Sequence, residues 1–409
     1  MTRFSKQNEQ VAQADYINSS NPFQPAMRQF FRLTNCVNHL LGQMPSFLFL
    51  CNRFLNMIII LTLLTPAAVN YYRATWYMLD LFVFPDDKLL SASFTFTVSF
   101  GTLFLIMLVG DYIKESLNAR KAKEVWYRVL FFPLAFLTVA AWKGPWMLLD
   151  QITTPSLPSA CVSHVIGFLV LVCTRTTSSI VAMPGYCSNE RHINLSESIL
   201  QGKHCVKNTS NTICGEIAAR IFNSFVTVFI IGVAVVNYWR GTWLIILTTL
   251  QYLDNDLILS SVLLIIVGYS IWIVCYVLTE FLSTIPMNPP HSILNRALEQ
   301  VFVYILAFGV VCSWAGIWLL MDACLPSDLP VTYALIGHFV SITVLYVLQA
   351  CINLIASPTG CTVHNSEKLD GFDMGGYFEK PHRMEPKKQI ENGAIKQQLI
   401  RNYESTQLN

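Results

Sequence analysis

The chain has 409 residues, 53% of them apolar and only 13% charged, with a formal net charge of +2. Against a globular norm of about 25% charged, that excludes a large water-soluble core, and the near-neutral balance excludes a nucleic-acid partner. Twelve cysteines contain no CxxC pair and eight histidines no ligand spacing, so neither a metal site nor a dense disulfide scaffold is expected. No GxxxxGK[ST], HExxH or GxSxG pattern occurs, so no catalytic residue and no cofactor is expected either.

Residues 1–50 form an N-terminal segment, polar at first and without the apolar core of a signal peptide. From Pro25 to Leu50, Phe30, Phe31, Leu33, Leu40 and Leu41 alternate with Arg28 and Arg32. That suits a helix in the membrane interface or a loop packed under the bundle. Residues 53–76 then read RFLNMIIILTLLTPAAVNYYRATW, and residues 220–243 repeat them as RIFNSFVTVFIIGVAVVNYWRGTW, with nine identities at an offset of 167. The two arginines of each copy are twenty residues apart. At ~1.5 Å per residue that is roughly 30 Å, one bilayer crossing, ending in an aromatic cluster at the headgroup level.

Pro66 predicts a kink near the end of the first span. Further spans are predicted from about Leu89 to Val109, Val129 to Trp142, Ala160 to Val181, Leu257 to Leu278, Leu298 to Leu320 and Val331 to Ile355. The predicted fold is an all-α polytopic membrane protein whose eight transmembrane helices form two same-orientation four-helix repeats, each made of two hairpins. The predicted divisions are a first repeat at 51–183, a cytosolic loop at 184–219, a second repeat at 220–356 and a disordered cytosolic tail at 357–409, with a short helix around Lys387 to Arg401.

The end motif occurs four times: Tyr72–Trp76, Trp142–Trp146, Trp239–Trp243 and Trp314–Trp318, each aromatic, variable, small, variable, Trp. Asp80, Asp150 and Asp322 follow by four residues in three copies, whereas the third has Leu247. Trp76, Trp142, Trp243 and Trp318 are read either as an aromatic belt with snorkelling cations or as members of a binding motif. Arg73 and Arg240 keep their neighbours in register and could pair with these aspartates; Asn70 and Asn237 could bond a guanidinium or a carbonyl. The central Ala74, Gly144, Gly241 and Gly316 fit close helix approach. Asn56 and Asn223 are read as interhelical packing or a solute site, and Ser91, Ser93, Thr95, Thr97 and Ser99 as packing or a polar lining. His164 and His338 are bonded core residues or members of a proton relay.

Twenty-three of the twenty-seven Lys and Arg lie in the terminal segments and the loops after helices 2, 4 and 6. Both termini are therefore expected in the cytosol. The sequons at Asn194 and Asn208 fall in a loop this topology makes cytosolic, and are expected to carry no glycan. Cys161 and Cys324 fall near the oxidising face and are disulfide candidates.

A chain of eight helices with both ends inside, built around NY[WY]RGTW with tryptophan-glycine-tryptophan echoes, resembles the fuseless family of invertebrate neuronal membrane proteins, with Ala74 and Leu247 as departures from the pattern. The resemblance covers about residues 50–356 and is carried by Asn70 to Trp76, Asn237 to Trp243, Trp142 to Asp150 and Trp314 to Asp322. It implies a presynaptic plasma-membrane protein that supports calcium-channel organisation and transmitter release, with calcium channels or active-zone proteins as partners beside the lipid bilayer. The alternative reading is a small-solute transporter or channel built from two parallel repeats.

Overall fold

A computed structural model describes residues 47–120, 123–190, 213–253, 256–283, 293–325, 330–359 and 374. Residues 25–46 of the expected interfacial helix Pro25 to Leu50, the tail helix and both sequons lie outside the described residues. The chain divides into two units, Met1–Leu55 and Asn56–Asn409.

Among the described residues, eight helices are long and apolar enough to cross a bilayer: α1 Cys51–Phe82, α2 Lys88–Leu108, α3 Val125–Thr153, α4 Leu157–Thr174, α5 Cys214–Gln251, α6 Leu257–Thr279, α7 Ala297–Cys324 and α8 Pro330–Val347. The protein is an all-α polytopic membrane protein. Of each odd-numbered span's most apolar stretch 39–67% is buried, against 22–33% for the even-numbered spans, which fixes the layering. An inner bundle of α1, α3, α5 and α7 closes on itself in that order, and the even helices face outward around it.

The even helices do not pack as expected hairpins. Each lies chiefly on the inner helix that follows it: α2 on α3, α4 on α5, α6 on α7 and α8 on α1. The short connection after an inner helix fixes only where the next one starts. Small residues then decide the seam, because backbones approach closely where side chains are smallest.

α1 and α5 each contain a π-helical turn, at Ile60–Leu64 and Val226–Gly232. Val233 occupies the place of Pro66 in the second copy, so the irregularity is not a proline kink; Pro66 sits in the first turn of the segment that follows.

The spans predicted to Val181 and Ile355 end earlier. α4 stops where Arg175 takes a left-handed conformation (φ 55°), and α8 is followed by Gln349 in the same conformation (φ 54°). Each chain then makes a 3-10 turn, Thr177–Ile180 or Cys351–Leu354, and folds back into the bundle. The loops clasp each other: Ser188 N donates to Asn353 Oδ1 at 2.8 Å, Asn353 Nδ2 donates to the Ser188 carbonyl at 2.8 Å, and Glu190 N donates to the Gln349 carbonyl at 2.9 Å. Residues 187–190, expected in a cytosolic loop, and Ser357, Thr359 and Met374, expected in a disordered tail, are buried instead. Irregular backbone is tolerated at this depth because protein satisfies its polar groups.

Candidate functional site

The four motif copies converge at one end of the inner bundle, the motif face. Trp76, Trp146, Trp243 and Trp318 form a closed ring with neighbouring centroids at 5.7, 6.0, 5.7 and 6.0 Å and planes at 82–86°. One turn deeper, Tyr72, Trp142, Trp239 and Trp314 form a second ring, with centroids at 6.1, 4.9, 5.4 and 5.0 Å. Edge-to-face geometry sets the ring quadrupoles favourably, about 0.5–1.5 kcal/mol per pair beyond area burial. The period that places both rings is the four-residue step within each motif, one helical turn.

The deeper ring ends in polar tips, and the two loops receive them. Trp239 Nε1 donates to the Ile180 carbonyl at 2.8 Å and Trp314 Nε1 to that of Met183. Tyr72 Oη donates to the Leu354 carbonyl at 2.9 Å and Trp142 Nε1 to that of Ser357 at 2.7 Å. A four-fold ring thus rests on a two-fold floor. The floor carries its own sequence echo, Ile180-Val181-Ala182-Met183-Pro184 against Leu354-Ile355-Ala356-Ser357-Pro358, at an offset of 174.

Each basic residue of the motif reaches the acid of the preceding copy around the ring. Lys143 on α3 bonds Asp80 on α1. Arg240 on α5 bonds Asp150 on α3 at 2.7 Å, and also Ser163 at 2.9 Å, Ser159 at 3.2 Å and Thr153 at 3.3 Å. Arg73 on α1 bonds Asp322 on α7 at 2.6 Å, with Tyr77 Oη donating to the same carboxylate at 2.9 Å. The fourth seam, between α5 and α7, has Leu247 and Ala315 in these places, so it lacks acid and base together. The cations are the buried members: Arg240 is 0% and Lys143 1% exposed, against 17% and 43% for their acids. An isolated cation there would be costly, which is why each finds a carboxylate.

The motif's small residue marks the seam with the outer layer. A Cβ on Gly144 would lie 2.5 Å from Phe96 N of α2, on Gly241 2.4 Å from His164 N of α4, and on Gly316 2.6 Å from the Ser261 carbonyl of α6. In the first copy the roles are exchanged: Ala74 carries the methyl, and Gly337 of α8 gives way to it.

The model of the Fuseless family matches residues 51–385. The chain belongs to the Fuseless family. No curated protein and no solved structure matches it.

The remaining expected residues of this Fuseless chain fall in three groups. His164 Nδ1 lies 2.9 Å from Thr242 Oγ1 and its Nε2 3.1 Å from Tyr304 Oη, while His338 Nδ1 lies 2.8 Å from Thr75 Oγ1. Both histidines lie against the motif-adjacent tyrosine, Tyr238 or Tyr71, with ring planes tilted by 34°. Asn70 bonds Ser341 of α8 at 2.9 Å, whereas Asn237 bonds the Val233 carbonyl of its own helix at 3.0 Å; neither reaches a guanidinium. Asn56 is fully buried and Asn223 half-buried, both far from the motif rings along their helices.

The bridge considered between Cys161 and Cys324 is not formed. Both are free and exposed, Cys161 on the lipid-facing side of α4, which packs on α5, and Cys324 at the end of α7, which packs on α6. Among the described residues no group of three His, Cys, Asp or Glu could hold a metal ion. Burial pushes the Cys187 thiol up to about 12, so it is an unreactive member of the loop floor.

Proposed function

We propose that this chain is a multi-pass neuronal plasma-membrane protein that organises the presynaptic membrane, supporting calcium-channel localisation and neurotransmitter release through partner binding. Membership of the Fuseless family supports the synaptic setting. The observation that carries the organiser role is the filled bundle axis: two closed aromatic rings whose polar tips are capped by the carbonyls of the inserted loops. A rigid, filled bundle suits a platform, and its outward helices are free to meet other membrane proteins. Both termini face the cytosol in this reading, supported by the bias of Lys and Arg toward the face opposite the motifs.

A second reading, a small-solute transporter or channel, is favoured by one feature. Two helix-breaking loops meet inside the bundle, a habit of membrane transporters. Purified protein in proteoliposomes, tested with calcium, chloride and small amino acids beside proximity labelling at synapses, separates the two. The organiser reading predicts flux no higher than in protein-free vesicles and labelling of calcium-channel or active-zone proteins. Saturable flux of any of these solutes would transfer the conclusion to the second reading.

A further inference from the structure

Two of the charged seams are built from the same parts with one difference. The close contacts of Gly241 with His164 and of Gly144 with Phe96 put those two outer-helix residues in register. Ser159 and Ser163, which bond the Arg240 guanidinium, therefore correspond to Ser91 and Thr95 of α2. The first seam presents a lysine to them instead. Lys143 is shorter and lacks the planar fork; it reaches Asp80 and, at 3.4 Å, the Trp76 carbonyl.

What the fork fills at Arg240 is left open at Lys143. A cavity of about 270 Å³ lies there, lined by Lys88, Ser91, Lys143 and Asp80 with Phe84 and Met147 among its apolar walls. One turn deeper on the same face of α2, the hydroxyl of Thr95, itself 4% exposed, has no hydrogen-bond partner among the described residues. Two ammonium groups line the cavity against one carboxylate, and Lys143 already engages that carboxylate. The first turn of α2 lies at the same end but adds nothing to the site, because Asp87 caps it: Leu90 N donates to Asp87 Oδ1 at 2.9 Å. The volume is below that of drug-sized sites, and suits one small polar group rather than a large ligand.

We propose that this cavity binds a small oxyanion, a phosphate or carboxylate group, between Lys88, Lys143 and Ser91. Lys88 and Lys143 supply charge and Ser91 a directed donor, while Asp80 fixes the Lys143 ammonium in place. The site is independent of the organiser role. The group can come from solution or from the headgroup of a phospholipid at the same membrane face.

Titration of the lipid-free protein in detergent with inorganic phosphate, read by calorimetry, tests the free source. Native mass spectrometry after reconstitution with phosphatidylglycerol tests the lipid source. Saturable phosphate binding, or retained phosphatidylglycerol, is expected in the wild type. Lys88→Gln, on the exposed rim, is expected to weaken it about tenfold, the loss of one charge-assisted bond. Lys143→Arg recreates the arrangement seen at Arg240, and should abolish binding while keeping the melting temperature at or above that of the wild type. Ser91→Ala is a second, mild variant and should weaken binding if Lys143→Arg fails to fold. Loss confined to phosphatidylglycerol names the lipid as source; equal binding of both probes in all variants, or none in the wild type, overturns the site.

Discussion

The seam between α3 and α5 and the seam between α5 and α7 join neighbouring inner helices at the same height, yet they are held differently. The first buries Arg240 against Asp150 and three hydroxyls; the second has Leu247 and Ala315 in place of the pair. Both carry the same aromatic joints, Trp146 to Trp243 at 6.0 Å and Trp243 to Trp318 at 5.7 Å, with Trp142 to Trp239 and Trp239 to Trp314 beneath. Ring geometry is therefore a property of aromatic packing and small-residue contacts. A charge pair can be added to a seam or left out of it, but half a pair cannot stay, because a buried unpaired charge costs far more than the pair contributes.

Asp150→Ala should produce the largest loss, since it strands a guanidinium that is 0% exposed: about 3–5 kcal/mol by thermal unfolding in detergent. Asp80→Ala also strands a buried cation, Lys143 at 1% exposed, but the 43% exposed carboxylate and the cavity beside it leave water a way to the freed ammonium, so the loss should be smaller. Equal losses at the two positions would break the comparison. A double-mutant cycle sharpens it. Leu247→Asp and Ala315→Arg should each destabilise alone, while the double variant recovers part of the sum, with a coupling of about 0.5–3 kcal/mol if the fourth seam can hold the same pair. Additive effects would mean that the seam's geometry differs from the other three.

Smaller effects follow from the seams with the outer layer. Gly241→Ala puts a methyl 2.4 Å from the His164 backbone nitrogen and should cost about 1–3 kcal/mol through overpacking. Gly337→Ala meets the Ala74 methyl at 3.0 Å, a wider gap than the 2.4 Å at Gly241, and should cost less. The reverse order of these two melting temperatures would contradict the assignment of α8 to α1. The smallest effect concerns pH. Burial raises the Glu190 carboxyl above its ordinary value, outweighing the Ile352 N–H and Arg128 that lower it. Its contribution to stability is full below the unfolded-state value and is lost as pH rises through the raised one. Glu190→Gln should flatten that part of the stability profile; an unchanged profile would remove Glu190 from the account.

Most of the motif face was legible in the sequence because it depends on spacing along one helix. The step from Tyr72 to Trp76 to Asp80, repeated from Trp142, Trp239 and Trp314, named every member of both rings and all three acids. Lateral order was not legible: nothing along α3 says that Lys143 reaches back to Asp80 rather than across to Asp322. The outer seams are hidden for a related reason: chain order pairs each outer helix with the inner helix before it, whereas Gly144, Gly241 and Gly316 select the helix before their own. Hydropathy carries the expected spans on through Ile180-Val181 and Leu354-Ile355, because a segment buried in protein is as apolar as one in lipid. Their shared spacing to Pro184 and Pro358 was the available signal. Asn70 and Asn237, identical in register, bond differently because Ser341 of α8 is present to meet only the first.

The central claim is that the inserted loops close the axis beneath the aromatic rings. Substituted-cysteine accessibility tests it most directly. In a background where the exposed Cys161 and Cys324 are replaced by serine, Met183→Cys and Ser357→Cys each place a thiol on a loop residue whose carbonyl caps an indole. A membrane-impermeant thiol reagent applied from the motif face should label neither variant in the folded protein and both after denaturation. Labelling of either from that face without denaturation would show an open path through the rings and contradict the account.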